Sequence, residues 1–285
     1  MSKTDISISI LITILGSVLG AIISSYNFPK NITLKKLFIC HKLKKILQLK
    51  KQETSIVLGI YNTEAFNTNG VKKQFISIPL EIMEAVEEIK KIYELIGYTD
   101  IAVFSLYTND KHMTNTKHNR FVIGGPFSNY DTSCLMLNYF NSIQFPVNSY
   151  NKKFLFNNDI VKQFSYKLTA DKIDSPVKEI KYGYNLKHSI IYNSNIEDIL
   201  FLIRIDPKTD FNDSSHGTVH ILFGLNSTYT TYSTKLFMKH TNRLHEITKN
   251  KKHYFLVFKI YKNNEIDFNN FWDLTKSMFK NENNN

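Results

Sequence analysis

One uncharged run near the start of the chain constrains it most. Residues 6–26, "ISISILITILGSVLGAIISSY", carry no charge over 21 positions. A helix rising about 1.5 Å per residue over that length spans the roughly 30 Å hydrocarbon core of a bilayer. A buried helix of a soluble protein and a cleaved signal peptide are the alternatives. The latter fits poorly, because the preceding residues are nearly neutral and no A-x-A site follows. Lys3 and Asp5 nearly cancel before the run, whereas "PKNITLKKLFICHKLKKILQLKK" after it holds eight lysines and no acid before Glu53. The positive-inside rule then puts the C-terminal side in the cytosol. Residues 1–29 are expected to be a signal anchor in a single-pass membrane protein.

The run also carries two stripes of small residues. Gly16, Gly20 and Ser24 form an extended G-x-x-x-G, and Ser9, Thr13, Ser17, Ala21 and Ser25 repeat the spacing beside it. Small side chains let helix backbones approach closely in lipid, so a homo-oligomer is expected. A hydroxyl-rich stripe also suits the lining of a narrow pore in a higher oligomer.

The net charge of +11 would suggest nucleic acid if it were spread along the chain. Much of it lies in residues 30–52, where lysines alternate with Leu34, Leu37, Phe38, Ile39, Leu43, Ile46 and Leu47. That pattern reads as a basic amphipathic helix on the anionic inner leaflet. The membrane surface is therefore the expected partner, in preference to nucleic acid. Cys40 and Cys134 stand in unrelated contexts and suggest reduced thiols, not a disulfide framework or zinc site.

From residue 53 to 280 short β-type runs alternate with helical ones. "SIVLGIY", "DIAVFSLY", "RFVIGG", "DILFLIRI", "TVHILFGL" and "HYFLVFKIY" read as strands, with "KYGYNLKHSIIYN" as further strand material. "LEIMEAVEEIKKIYELIGY" is an amphipathic helix ended by Gly97, and helices are expected near 132–143 and 231–247. "FNNFWDLTKSMF" suits a short closing helix, and residues 281–285 read as a disordered tail. The alternation argues for an α/β fold, Rossmann-like, with a largely parallel sheet flanked by helices after one transmembrane helix.

Two strand–loop–helix units carry the candidate ligand site. "FVIGGPFSNYDT" supplies Gly124, Gly125, Ser128 and Asn129, and "ILFGLNSTYTTYSTKLF" supplies Gly224, Asn226, Ser227 and Thr228. Glycines let a ligand approach the main chain, and the free amides of a helix N-terminus favour an anion. A purely structural turn with Ser, Asn or Asp caps is the competing reading. Both loops leave strands in the same sense, so a parallel sheet places them on one edge, where α/β sheets bind ligands. Arg204 at the end of an apolar strand could offer a counter-charge, or pair with Asp206 or Asp210. Neither loop is a Walker A or a G-x-G-x-x-G, so no motif specifies a cofactor.

Catalytic signals are weaker. His216 and His220, and His240 and His245, lack the spacing of a metal pair, and no nucleophile with a base can be assembled. Glu84, Glu87 and Glu88 read as a solvated helix face.

The "VIGGPFSN" run, with the later "ILFGLN" strand and Thr-rich helix start, resembles prokaryotic Rossmann-like domains bearing a GGPxxN loop. The layout of one span and a cytosolic domain is similar to membrane effectors of prokaryotic antiviral signalling, including CRISPR-associated membrane proteins that sense a cyclic oligonucleotide. That resemblance implies a nucleotide-like anionic ligand that controls packing of the membrane helices. A tethered nucleotide-processing enzyme and a docking domain with no small ligand are the other expectations.

Overall fold

The computed structural model describes residues 34–50, 53–59, 62–68, 71–98, 100–105, 117–126, 128–145, 175–206 and 217–280. Among these, no helix is long and apolar enough to cross a membrane. The 6–26 run, with Ser9, Thr13, Gly16, Ser17, Gly20 and Ser24, lies outside the described residues, as do 281–285. The chain divides into two compact units, Met1–His41 and Lys42–Asn285. Of the first, the described part is the opening of helix α1 (Leu34–Leu47).

The second unit is a mixed α/β structure. Its central sheet contains β1 (Thr54–Leu58), β4 (Ile101–Ser105), β5 (Asn119–Ile123), β9 (Glu197–Ile205), β10 (Val219–Gly224), β11 (Tyr254–Tyr261) and β12 (Trp272–Asp273). Their spatial order is β12-β11-β9-β10-β5-β1-β4. The strands β4, β1, β5 and β10 pair in parallel, and β11 runs the same way, so the sheet is mostly parallel. The apolar runs of β9 and β10 are nevertheless antiparallel neighbours, with Leu202 opposite Leu222.

Side chains alternate between the two faces of the sheet, and both faces are buried. Val57, Val122, Phe201, Ile221, Phe223 and Phe255 belong to one continuous cluster on the first face. Helix α3 (Tyr130–Tyr139), helix α6 (Thr275–Met278) and a small antiparallel sheet of β6 (Ile143–Gln144), β7 (Val177–Tyr182) and β8 (His188–Asn193) cover it. The second face carries helix α2 (Leu80–Leu95), helix α4 (Ser227–Lys239) and helix α5 (Thr241–Thr248). There Phe121 meets Tyr93 of α2 edge-on at 6.2 Å, and His220 meets Phe237 of α4 at 6.1 Å.

Several elements differ from the sequence expectation. The helix expected over 231–247 is two helices that break at His240, whose φ of −127° leaves the helical region. A hairpin of β2 (Asn62–Thr68) and β3 (Val71–Ser77) precedes α2, where the sequence reading placed nothing. The amphipathic stripe assigned to lipid is partly engaged within the unit: Leu43, Ile46 and Leu47 are fully buried. Glu87 and Glu88 do form a solvated face, each pairing with a lysine three residues on.

Candidate functional site

Strand β5 ends at the centre of the candidate site. Its neighbours β1 and β10 run parallel to it, so all three carboxyl ends reach one edge. The chain leaves β5 for α3 on the first face. From β1 it reaches α2 by way of the β2–β3 hairpin, and from β10 it enters α4, both helices lying on the second. Adjacent parallel strands that send their helices to opposite faces open a crevice at that edge. The two glycine loops therefore share an edge, and the Gly124 amide donates to Leu222 O at 3.0 Å.

Close packing accounts for the glycines around this edge. Gly124 adopts a φ of +115°, which a side chain would strain. A Cβ on Gly125 would come within 3.1 Å of the Phe223 ring, and one on Gly224 within 2.5 Å of Tyr229 Cβ. Gly59, at the end of β1, would place a Cβ 2.8 Å from Ser128 O. Only glycine lets the β5 loop lie across the end of β1.

Asn129 departs from the role expected of it. Its side chain does not face a cleft but is buried and turned inward. Oδ1 accepts from the amides of Asp131 (3.0 Å) and Thr132 (3.4 Å), capping α3. Nδ2 donates to Val57 O (3.2 Å) and Ile123 O (3.0 Å), joining the ends of β1 and β5. Thr132 Oγ1 donates to Gly124 O (2.7 Å), and Ser133 Oγ to Pro126 O (2.5 Å). Asp131 forms a buried pair with Arg120 of β5 at 3.0 Å. Ser128 is half-buried, its hydroxyl 3.3 Å from Gly125 O.

The second loop is more open. Asn226 caps α4 by accepting from the Tyr229 amide at 3.0 Å, and its Nδ2 donates to Asp198 Oδ2 at 3.1 Å. Asn226 and Thr228 are exposed and Ser227 is half-buried. The amides of Ser227 and Thr228 stand in the first turn of α4, before any residue has an i−4 partner.

Asp198 was not singled out from the sequence. It is the second residue of β9, and the antiparallel direction of that strand carries it to the carboxyl end of β10, where Leu200 pairs with Gly224. Burial pushes its carboxyl up to about 6, against the opposing pull of the Ile199 amide and of Lys262. An acid opening the apolar run "DILFLIRI" was the available signal. The strand's direction was needed to use it.

Arg204 belongs elsewhere. It pairs with His220 near the start of β10, at the amino edge of the parallel strands, so it cannot be the counter-charge of the glycine loops. Its guanidinium is fully buried and donates to the carbonyls of Ile46, Lys251 and Lys252, with Tyr254 beneath it at 4.7 Å. His220 Nε2 is 2.8 Å from Leu47 O, and Thr218 Oγ1 donates to Gln48 O at 2.9 Å. Asn119 and Lys50 exchange two bonds of 3.0 Å. Together these groups satisfy carbonyls at the C-terminal end of α1, where the helix dipole favours a cation. Asp206, an expected partner of Arg204, pairs instead with Lys50 at 3.2 Å. Asp210 and His216 lie outside the described residues.

Fold and site together define an α/β unit with a crevice position at the β1–β5–β10 edge and a polar clamp at the opposite edge. No protein-family model matches the chain, and no curated protein or solved structure does either.

Proposed function

We propose that this protein is a membrane-anchored sensor or effector whose α/β unit, Rossmann-like in plan, binds a small nucleotide-like anion at the carboxyl edge of β5 and β10. The observation that carries the reading is the divergence of α3 and α4 to opposite faces from adjacent parallel strands. Asn129 and Arg204 drop out of the ligand set. The Gly124 and Gly125 backbone, Ser128, Gly224, Asn226, Ser227 and Thr228 remain, with the first-turn amides of α4 as the anion-binding element. Binding there would alter packing of the 6–26 helices in a homo-oligomer, the step that makes a sensor an effector.

Titration of the full chain with a nucleotide panel tests this. A ligand that binds and loses roughly ten-fold affinity in Thr228→Ala or Ser227→Ala supports it. Ionised Asp198 opposes an anion at α4, so binding should tighten as pH falls through about 6, and Asp198→Asn should remove that dependence. Binding unmoved by these substitutions would place the ligand elsewhere.

A docking domain with no small ligand is the second reading, favoured by one observation. Asn129 and the close contacts at Gly59, Gly125 and Gly224 account for the loops without any ligand. No binding across the panel, with a partner captured by the same unit, would select it. The enzyme reading needs a carboxylate or imidazole at the β5 loop, and the acid present there, Asp131, is held by Arg120.

A further inference from the structure

We infer that the exposed face built by the end of α1, by α5 and by the turn after α5 is a docking surface for an anionic lipid headgroup layer. The inference rests on the membrane-anchor reading and extends its lipid contact beyond the juxtamembrane segment to residues some two hundred positions away. Lys44 and Lys45 on α1, Arg243 on α5, Lys249 just after it and Lys252 in the turn are all exposed. Among the described residues, no acid pairs with Lys44, Lys45, Arg243 or Lys252. Glu246, the carboxylate of α5, is matched by Lys249 at 2.5 Å.

Buried groups hold the elements that carry these cations against one another. Arg204 donates at once to Ile46 O in α1 and to the carbonyls of Lys251 and Lys252, which brings the end of α1 against the turn after α5. Gln48 Nε2 adds a bond to Lys251 O at 3.4 Å. Lys42 Nζ donates to Asn242 Oδ1 at 2.8 Å, joining α1 to the start of α5. Leu43, Ile46, Leu47 and Leu244 are buried beneath, so the cations are presented outward from a fixed base. The patch therefore does not disperse as lysines on a loose linker would.

Lipid is the partner this arrangement favours because of the tether. About 16 residues join Tyr26 to Lys42, a reach of at most about 55 Å even when fully extended. A basic face held so close to a bilayer meets anionic headgroups at high effective concentration. Each basic residue near such a surface is worth roughly five-fold in partitioning, and salt screens the effect.

Lysine footprinting of the full chain in nanodiscs tests the inference. In discs containing phosphatidylserine, acylation of Lys44, Lys45 and Lys252 should fall several-fold relative to phosphatidylcholine discs, and recover in 1 M salt. Lys90 and Lys91 on α2 should not change. In Lys44→Glu/Lys45→Glu/Arg243→Glu the protection of Lys249 should disappear. Equal reactivity in both discs overturns the inference, and protection conferred only by added RNA assigns the face to nucleic acid and overturns it too. A chain that fails to enter discs, or is stripped from membranes at alkaline pH, removes the anchor reading instead. The same footprint with free anionic vesicles then decides the surface: protection supports it and none overturns it.

Discussion

The Asn129 side-chain amide donates to Val57 O at 3.2 Å, tying the loop that leaves β5 to the end of the neighbouring strand β1. The same side chain caps α3, so one residue sets both the width of the carboxyl edge and the start of the next helix.

Replacing Asn129 should therefore be costly. Asn129→Ala removes a buried cap and the side-chain donor to Val57 O and Ile123 O, of which Ile123 O keeps the Gly59 amide at 3.0 Å, an expected loss of about 2–4 kcal/mol. Asn129→Asp keeps an acceptor for the cap but turns a carboxylate towards Val57 O and Ile123 O, and should not rescue stability. Urea midpoints at unchanged m-value would show both effects. A neutral Asn129→Ala would mean that the edge is not closed by this residue.

The Arg120–Asp131 pair should behave as a buried pair does. Arg120→Met or Asp131→Leu alone breaks the ion pair and leaves one of its charges buried, at a cost of about 3–5 kcal/mol. The double substitution should cost less than either single change. Strict additivity in the double-mutant cycle would contradict direct coupling across 3.0 Å.

Asp198 and His220 make opposite contributions to the pH dependence of stability. The Asp198 carboxyl, raised to about 6, is favoured neutral in the fold, so its stabilising contribution is complete below pH 4 and is lost as pH rises through 6. Asp198→Asn should be more stable than the parent at pH 7 by roughly 1–3 kcal/mol, with the difference closing by pH 4. His220, lowered to about 3 chiefly by burial and next by Arg204, is favoured neutral. Its contribution is complete above about pH 6.5 and is lost as pH falls through that value towards 3. His220→Phe loses the contact with Leu47 O but should flatten the acid limb. Identical pH profiles for parent and variants would refute both assignments.

Two glycines should respond differently to the same methyl group. Gly224→Ala sets a Cβ 2.5 Å from Tyr229 Cβ, so α4 must move, at an expected cost of about 2–3 kcal/mol. Gly97→Ala meets nothing within 4 Å and suffers only its φ of +85°, about 1 kcal/mol. Thermal unfolding of the two variants compares them directly, and equal shifts would remove the packing argument at α4.

Local pattern alone determined much of this protein. Helix α2 shows its apolar period and ends where Gly97 takes a positive φ, and β5, β9, β10 and β11 follow continuous apolar runs because both faces of the sheet are covered. The shared edge of the two glycine loops was legible as well, since parallel strands leave in one sense. Tertiary structure decided the rest. Strand direction is not written in an apolar run, so only the sheet could bring Asp198 to the glycine loops and carry Arg204 to the opposite edge. Nor does sequence say which acceptors a buried amide or guanidinium will find. Asn129 reads as a ligand contact until Val57 O stands beside it, and Arg204 as a counter-charge until the end of α1 packs over it. Those acceptors are 72 and 158 residues away, and only the folded chain brings them within reach.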